Sequence, residues 1–251
     1  MDKDMEILTF DSEDEAQSRA ALLDLFLDSK VTPDQILGNL GLFLDAKNLS
    51  RILLMDDLYK RIVDVQGVVM DFGTRWGHNM ALFQTLRGIY EPFNRHRKVV
   101  GFDTFEGFPA VEPEDGDSPL MYKGNLRVSD DYVGYLTDLM DTHEGLNPLS
   151  HIKKNHVVKG DATVELGKYL TENPQTIISL AYFDFDIYQP TKTCLELIRD
   201  RVTKGSVLAF DELNDFDSPG ETKALMEVFG LHNIRLQRFR YASRVSFFVV
   251  E

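Results

Sequence analysis

The chain has 251 residues, 43% of them hydrophobic and 27% charged, which suits one globular domain or a core domain with a small helical attachment. Its 41 acidic residues outweigh 27 basic ones, for a formal net charge of −14. A polyanion would meet repulsion over most of such a surface, so nucleic acid is excluded as the expected partner.

The start, Met1-Asp2-Lys3-Asp4, is acidic and lacks the basic-then-apolar order of a secretory signal. No apolar run approaches the roughly 18–20 residues of a membrane helix. Cys194 is the only cysteine, so no internal disulfide is expected and a reducing, cytoplasmic setting follows. Helical patterns come first. Ser12-Glu13-Asp14-Glu15 has capping-box spacing, Thr32-Pro33-Asp34-Gln35 repeats the device with Pro at the first helical position, and a third helix carries Leu49, Ile52, Leu53, Tyr59, Ile62 and Val63. Residues 1–66 therefore read as an N-terminal helical segment, able to pack on the core or on a second subunit in a homo-oligomer.

From Gly67 the texture changes to short β-branched runs alternating with helical patterns, the mark of βαβ units and a parallel sheet. Strands are expected at 68–72, 98–102, 156–159, 177–183 and 206–210, with helices near 79–90, 164–171, 191–202 and 219–229. The last of these opens on a third capping box, Ser218-Pro219-Gly220-Glu221. Arg95-His96-Arg97-Lys98 reads as one short basic loop. Two alternating segments, 233–240 and 244–250, follow, and the tight turn between them makes them antiparallel. The fold class is α/β: a doubly wound, Rossmann-like sheet with a C-terminal antiparallel hairpin over 67–251, the strand inventory of a class I methyltransferase. Residues 110–154 are far longer than an ordinary link between strands and read as a lid-like insertion.

In doubly wound sheets the ligand lies beyond the carboxyl ends of the strands. The first strand leads into Asp71-Phe72-Gly73-Thr74-Arg75-Trp76-Gly77, a loop whose glycines let the backbone approach a ligand ahead of a helix N-terminus. The second ends in Asp103, placed to accept both hydroxyls of a ribose. The third ends in Asp161, placed to reach an adenine amino group. The cofactor-binding set is Asp71, Gly73, Gly77 and Asn79 around the first loop, Asp103 and Thr104 after the second strand, and Asp161 and Ala162 after the third. Strands four and five end in Asp184-Phe185-Asp186-Ile187-Tyr188 and Asp211-Glu212. Neighbouring strand tips lie about 5 Å apart, so these carboxylates converge, and a hard divalent cation, Mg²⁺ first, is the natural compensation.

Gly101-Phe102-Asp103-Thr104-Phe105-Glu106-Gly107-Phe108-Pro109 resembles the "GFD-S/T-FEG-x-P" signature of the macrocin O-methyltransferase family. Asp184-Phe185-Asp186-Ile187-Tyr188, followed by Thr191 and Asp211-Glu212, is similar to that family's "D-x-D-x-Y-x-x-T … D-D" pattern, although Glu212 replaces the usual second Asp and Asp71 stands where Glu is common. The resemblance implies a S-adenosylmethionine- and metal-dependent O-methyltransferase acting on a hydroxyl of a small molecule, such as a sugar unit of a natural product. It further implies Asp184, Asp211 and Glu212 as metal ligands and Asp186 as general base. Three rivals stand beside it. Asp184-Phe185-Asp186 is also the D-x-D of metal-dependent glycosyltransferases, and a non-catalytic binding protein could share the fold. Tyr188-Gln189-Pro190-Thr191-Lys192 spells the Y-x-x-x-K of short-chain dehydrogenases, but Pro190 is expected to leave Tyr188 ahead of the helix, apart from Lys192.

Overall fold

The computed structural model describes residues 11–251; the acidic start, Met1 to Asp4, lies outside the described residues. Ser12 caps the first helix, α1 (Glu13–Leu27), in the capping box its sequence spells, with Glu15 N 3.3 Å from Ser12 Oγ and Ser12 N 2.8 Å from Glu15 Oε2. The helix expected after Thr32 does not form. Thr32 Oγ1 instead bonds Asp34 at 2.6 Å within a turn, the competing local bond that Ser and Thr side chains offer, and a 3-10 segment, Leu37–Phe43, follows. Asp45 then caps α2 (Ala46–Ile62), which buries Leu54, Met55, Leu58, Tyr59 and Ile62 on one face.

The core follows as β1 (Val68–Phe72), α3 (His78–Tyr90), β2 (Val99–Asp103), α4 (Tyr132–Gly145), β3 (Asn155–Lys159), α5 (Ala162–Glu172), β4 (Ile178–Phe183), α6 (Tyr188–Ile198), β5 (Val202–Phe210), α7 (Gly220–Val228), β6 (Gln237–Arg238) and β7 (Ser246–Val249). One seven-stranded sheet has the order β3-β2-β1-β4-β5-β7-β6. The first five strands are parallel, and β7 runs antiparallel to both β5 and β6. The sheet is doubly wound: strand residues alternate between a face covered by α5, α6 and α7 and one covered by α2, α3 and α4. Among the described residues no helix is long and apolar enough to cross a membrane.

A row of phenylalanines sets the floor beneath the strand tips. Phe102, Phe72, Phe183, Phe210 and Phe248 stack ring to ring across five strands, at centroid distances of 5.3, 4.8, 5.0 and 6.5 Å. Register places Phe72 beside Phe183 and Phe183 beside Phe210, so the next residues, Gly73, Asp184 and Asp211, emerge side by side. Gly73 is required there: with φ +84, a Cβ would lie 1.9 Å from the Asp184 carbonyl oxygen.

The basic stretch at 95–98 is not a surface patch. Arg97 is buried, with its guanidinium on the carbonyls of Ile62, Val65 and Gly67 and on Glu91, tying the end of α2 to the base of the sheet. The insertion is likewise built in at both ends. Its first turn, Pro113–Asp115, docks on α7 through a 2.7 Å bond from Lys223 Nζ to the Glu114 carbonyl. Its helix α4 buries Leu136 and Met140, and buried Glu144 pairs with Arg87 at 2.5 Å and Lys154 at 2.7 Å.

Candidate active site

A cleft of about 870 Å³ opens over the carboxyl ends of the parallel strands. Of the expected cofactor set, Gly73, Asn79, Asp103, Thr104, Asp161 and Ala162 line it, whereas Asp71 and Gly77 stand behind the lining. Asp103 is held by two loops: Oδ2 accepts from Arg75 N, in the loop after β1, at 2.7 Å and Oδ1 from Phe105 N, in its own turn, at 2.5 Å. Burial raises its pKa, and these two backbone donors oppose that rise. Thr104 Oγ1 closes the same turn on the Gly107 carbonyl at 2.8 Å. Asp161 caps α5, accepting from Thr163 N at 2.9 Å and Thr163 Oγ1 at 2.7 Å, while lining the cleft.

Asp71 is fully buried, and neither carboxylate oxygen has a partner, because Thr74 Oγ1 donates to the Asp71 carbonyl instead. Burial pushes its pKa up to about 7. Gly77, with φ +75, is a backbone position rather than a lining group. A Cβ there would lie 2.4 Å from Leu136 of α4, so the glycine lets the insertion's helix close on the loop.

The strand-tip carboxylates do meet. Asp184, Asp211 and Glu212 each present an oxygen within 4.8 Å of the others. Asp186 lines the cleft beside them, its backbone in the left-handed region at φ +61. Burial, then repulsion from Asp211, holds Asp184 well above the usual carboxylate range. The same two causes act on Glu212, and they raise Asp186 to about 6. Burial would raise Asp211 too, but Arg51 and its hydrogen-bond donors win and hold it below its ordinary value.

Arg51 is the residue that sequence reading missed. Reaching in from α2, it places Nη2 2.8 Å from Asp184 Oδ2, Nη1 on Asp211 Oδ1 and 3.0 Å from the Tyr182 hydroxyl, and Nε 3.1 Å from Asn79 Oδ1. Tyr182 also donates its hydroxyl to Asp211. The signal was present: Arg51 shares a helical stripe with Leu54, Leu58 and Ile62, which marks it as inward-facing.

Two further residues complete the cluster from the other side. Arg244, in the turn before β7, reaches Glu212 at 3.3 Å and Asp215 at 3.2 Å. Glu221 was expected to answer Ser218 in a capping box, but α7 begins at Gly220 without a side-chain cap. Glu221 turns inward instead, accepting from Phe185 N at 3.0 Å and Glu212 N at 3.3 Å, and so fixes both acidic loops. The Tyr188–Lys192 pair also needs correcting. Tyr188 is the first residue of α6, not a residue ahead of it, and Lys192 Nζ lies 2.9 Å from its hydroxyl. Both bond to Glu227 away from the cleft lining, so they are no dehydrogenase pair.

No family model matches the chain, and no curated protein sequence does. Solved structures do. CalS11, a calicheamicin methyltransferase, is 40% identical over 98% of this chain and 96% of its own, with a TM-score of 0.94. The apo form of CalS11, described as a TDP-rhamnose 3'-O-methyltransferase of calicheamicin biosynthesis, is 37% identical over 98% of this chain and 99% of its own, at 0.86. The O-methyltransferase NovP, 16% identical over 80% of both chains at 0.57, shares the fold. At 40% identity along almost the whole length of both proteins, the chain is an O-methyltransferase of the family to which CalS11 belongs.

Proposed function

We propose that the chain transfers the methyl group of S-adenosylmethionine to a hydroxyl of a sugar unit, borne on a nucleoside diphosphate or a natural product. The observation that carries this reading is the convergence of Asp184, Asp211 and Glu212 beside Asp186, at the end of the sheet where Asp103 and Asp161 line the same cleft. The resemblance to the macrocin O-methyltransferases and the likeness to CalS11, a TDP-rhamnose 3'-O-methyltransferase, both support the sugar acceptor. A small-molecule acceptor and a cytoplasmic setting agree with the acidic surface and the single buried cysteine.

The residues fit a hard cation. All the donors are carboxylate oxygens, Glu212 Oε2 is buried without a partner, and their spacing suits an ion that binds oxygen at about 2.0–2.6 Å. Bound there, Mg²⁺ would supply Lewis acidity that lowers the pKa of an acceptor hydroxyl. The chain's own groups do the rest. Asp186, above the ordinary carboxylate range, accepts the hydroxyl proton. Asp103 binds the ribose hydroxyls and Asp161 the adenine amino group, which holds the sulfonium methyl in line with the attacking oxygen.

The test is transfer of labelled methyl from S-adenosylmethionine to TDP-rhamnose and to glycosylated natural products, with Mg²⁺ or with EDTA. A methylated sugar formed only with Mg²⁺ is the expected result. Transfer unaffected by chelation overturns the metal assignment, and absence of both cofactor binding and transfer overturns the function.

A further inference from the structure

The turn that carries Asp186 is clamped from a distance. The next residues, Ile187 and Tyr188, begin α6, and Ile187 has no polar side chain with which to cap it. The cap comes instead from Asp115, 73 residues earlier at the start of the insertion. Asp115 is buried, its Oδ1 accepting from Tyr188 N at 2.6 Å and its Oδ2 from Glu112 N at 2.7 Å. Gly220, the first residue of α7, closes the other side. A Cβ there would lie 2.5 Å from Tyr188 N, 2.8 Å from Asp115 Oδ1 and 2.9 Å from the Asp186 carbonyl oxygen. The insertion, α6 and α7 thus converge on one peptide, and the residue between them is held at φ +61.

A left-handed backbone is unfavourable for a residue with a Cβ, even for Asp, which tolerates it better than most. Such a conformation persists where its surroundings over-determine it. We propose that Asp115 is a positioning residue for Asp186: by capping the first N–H of α6 it fixes the turn that aims the Asp186 carboxylate into the cleft, and so couples the insertion to the base. This role rests on the reading of Asp186 as general base.

Asp115→Ala removes the cap, and Asp115→Asn, which keeps one acceptor of the same shape, guards against a variant that does not fold. In a crystal structure of Asp115→Ala with S-adenosylhomocysteine, residue 186 should leave the left-handed region and its carboxylate should move by about 1 Å or more, a displacement able to cost about 100-fold in rate. This arm does not depend on the acceptor, and an unmoved Asp186 overturns the proposal. With TDP-rhamnose as probe, kcat should fall roughly 10–100-fold while S-adenosylhomocysteine affinity stays within about threefold. In an Asp186→Asn background the same Asp115→Ala change should alter residual turnover less than about twofold, because residues acting as a unit are non-additive. Equal fold losses in both backgrounds overturn the proposal and leave the base intact. If Asp186→Asn itself turns over at the wild-type rate, the base assignment fails, and the role of Asp115 with it.

Discussion

Arg51 Nη2 lies 2.8 Å from Asp184 Oδ2, joining the N-terminal helix α2 to the tip of β4 across 133 positions of sequence. The same guanidinium bonds Asp211, so Arg51 neutralises the Asp184 and Asp211 side of the strand-tip cluster while Arg244 pairs with Glu212. Removing one partner of such a network leaves uncompensated buried charge. Arg51→Met should cost about 3–5 kcal/mol of stability in EDTA, the scale for breaking a buried pair. Because a divalent ion would relieve the same repulsion, Mg²⁺ should raise the Tm of the variant more than that of the wild type. Thermal unfolding of both proteins with and without Mg²⁺ checks this, and an equal shift in the two would contradict it.

Asp71 gives a pH dependence of defined sign. Its pKa in the folded chain, pushed up to about 7 by burial, lies above the ordinary value of about 3.9 that applies after unfolding. Between these values the folded state holds a proton that the unfolded state has released, so this group's contribution makes stability fall as pH rises from about 4 to 7. Asp71→Asn removes the titration. Its Tm should exceed that of the wild type at pH 8 and approach it at pH 4, as read by calorimetric scans at both.

Much of this site was legible because register does the assembly. Once the strands were placed, Gly73, Asp103, Asp161, Asp184 and Asp211 had to emerge along one edge, and they do. What escaped was contact between distant elements. Nothing local tells that Arg51 crosses to Asp184, that Asp115 rather than a neighbouring side chain caps α6, or that Glu221 abandons Ser218 for Phe185 and Glu212. Thr32 and Ser218 each spell a helix start, yet local propensity there lost to a turn and to tertiary bonding respectively. Arg97 looked like loop charge because the four carbonyl and hydroxyl oxygens that hold it come from other segments.

Asp103 should carry a large share of cofactor affinity. Its carboxylate is already aligned by two backbone donors, so Asp103→Asn keeps the shape but loses the charge and an acceptor. S-adenosylhomocysteine binding should weaken by about 1.5–3 kcal/mol, the worth of hydrogen bonds to a charged group. Isothermal calorimetry measures it directly, and unchanged affinity would remove Asp103 from the cofactor site.

Within the insertion we propose the stretch 116–131 as the lid, held in this structure by the backbone pairing of Phe108 with Gly124 and Asn125 and by buried Val128. Its neighbours are anchored by Asp115 and by α4, whereas Leu120 and Leu126 within it line the cleft. Limited proteolysis should therefore cut in 116–131 and spare α4, and cofactor product together with an acceptor should slow the cutting. Cleavage in α4 at a comparable rate would mean that the helix is not part of the core.

The division of labour among the acids is the centre of the account, and single-turnover methyl transfer by Asp186→Asn tests it most directly. The variant should bind Mg²⁺ and S-adenosylmethionine as the wild type does, while transfer slows by about 10²–10⁴-fold, the scale of a positioned general base. Asp184→Asn, run beside it, should lose Mg²⁺ binding and transfer together. Wild-type transfer by Asp186→Asn, or loss of Mg²⁺ from it while Asp184→Asn keeps the ion, would contradict the assignment.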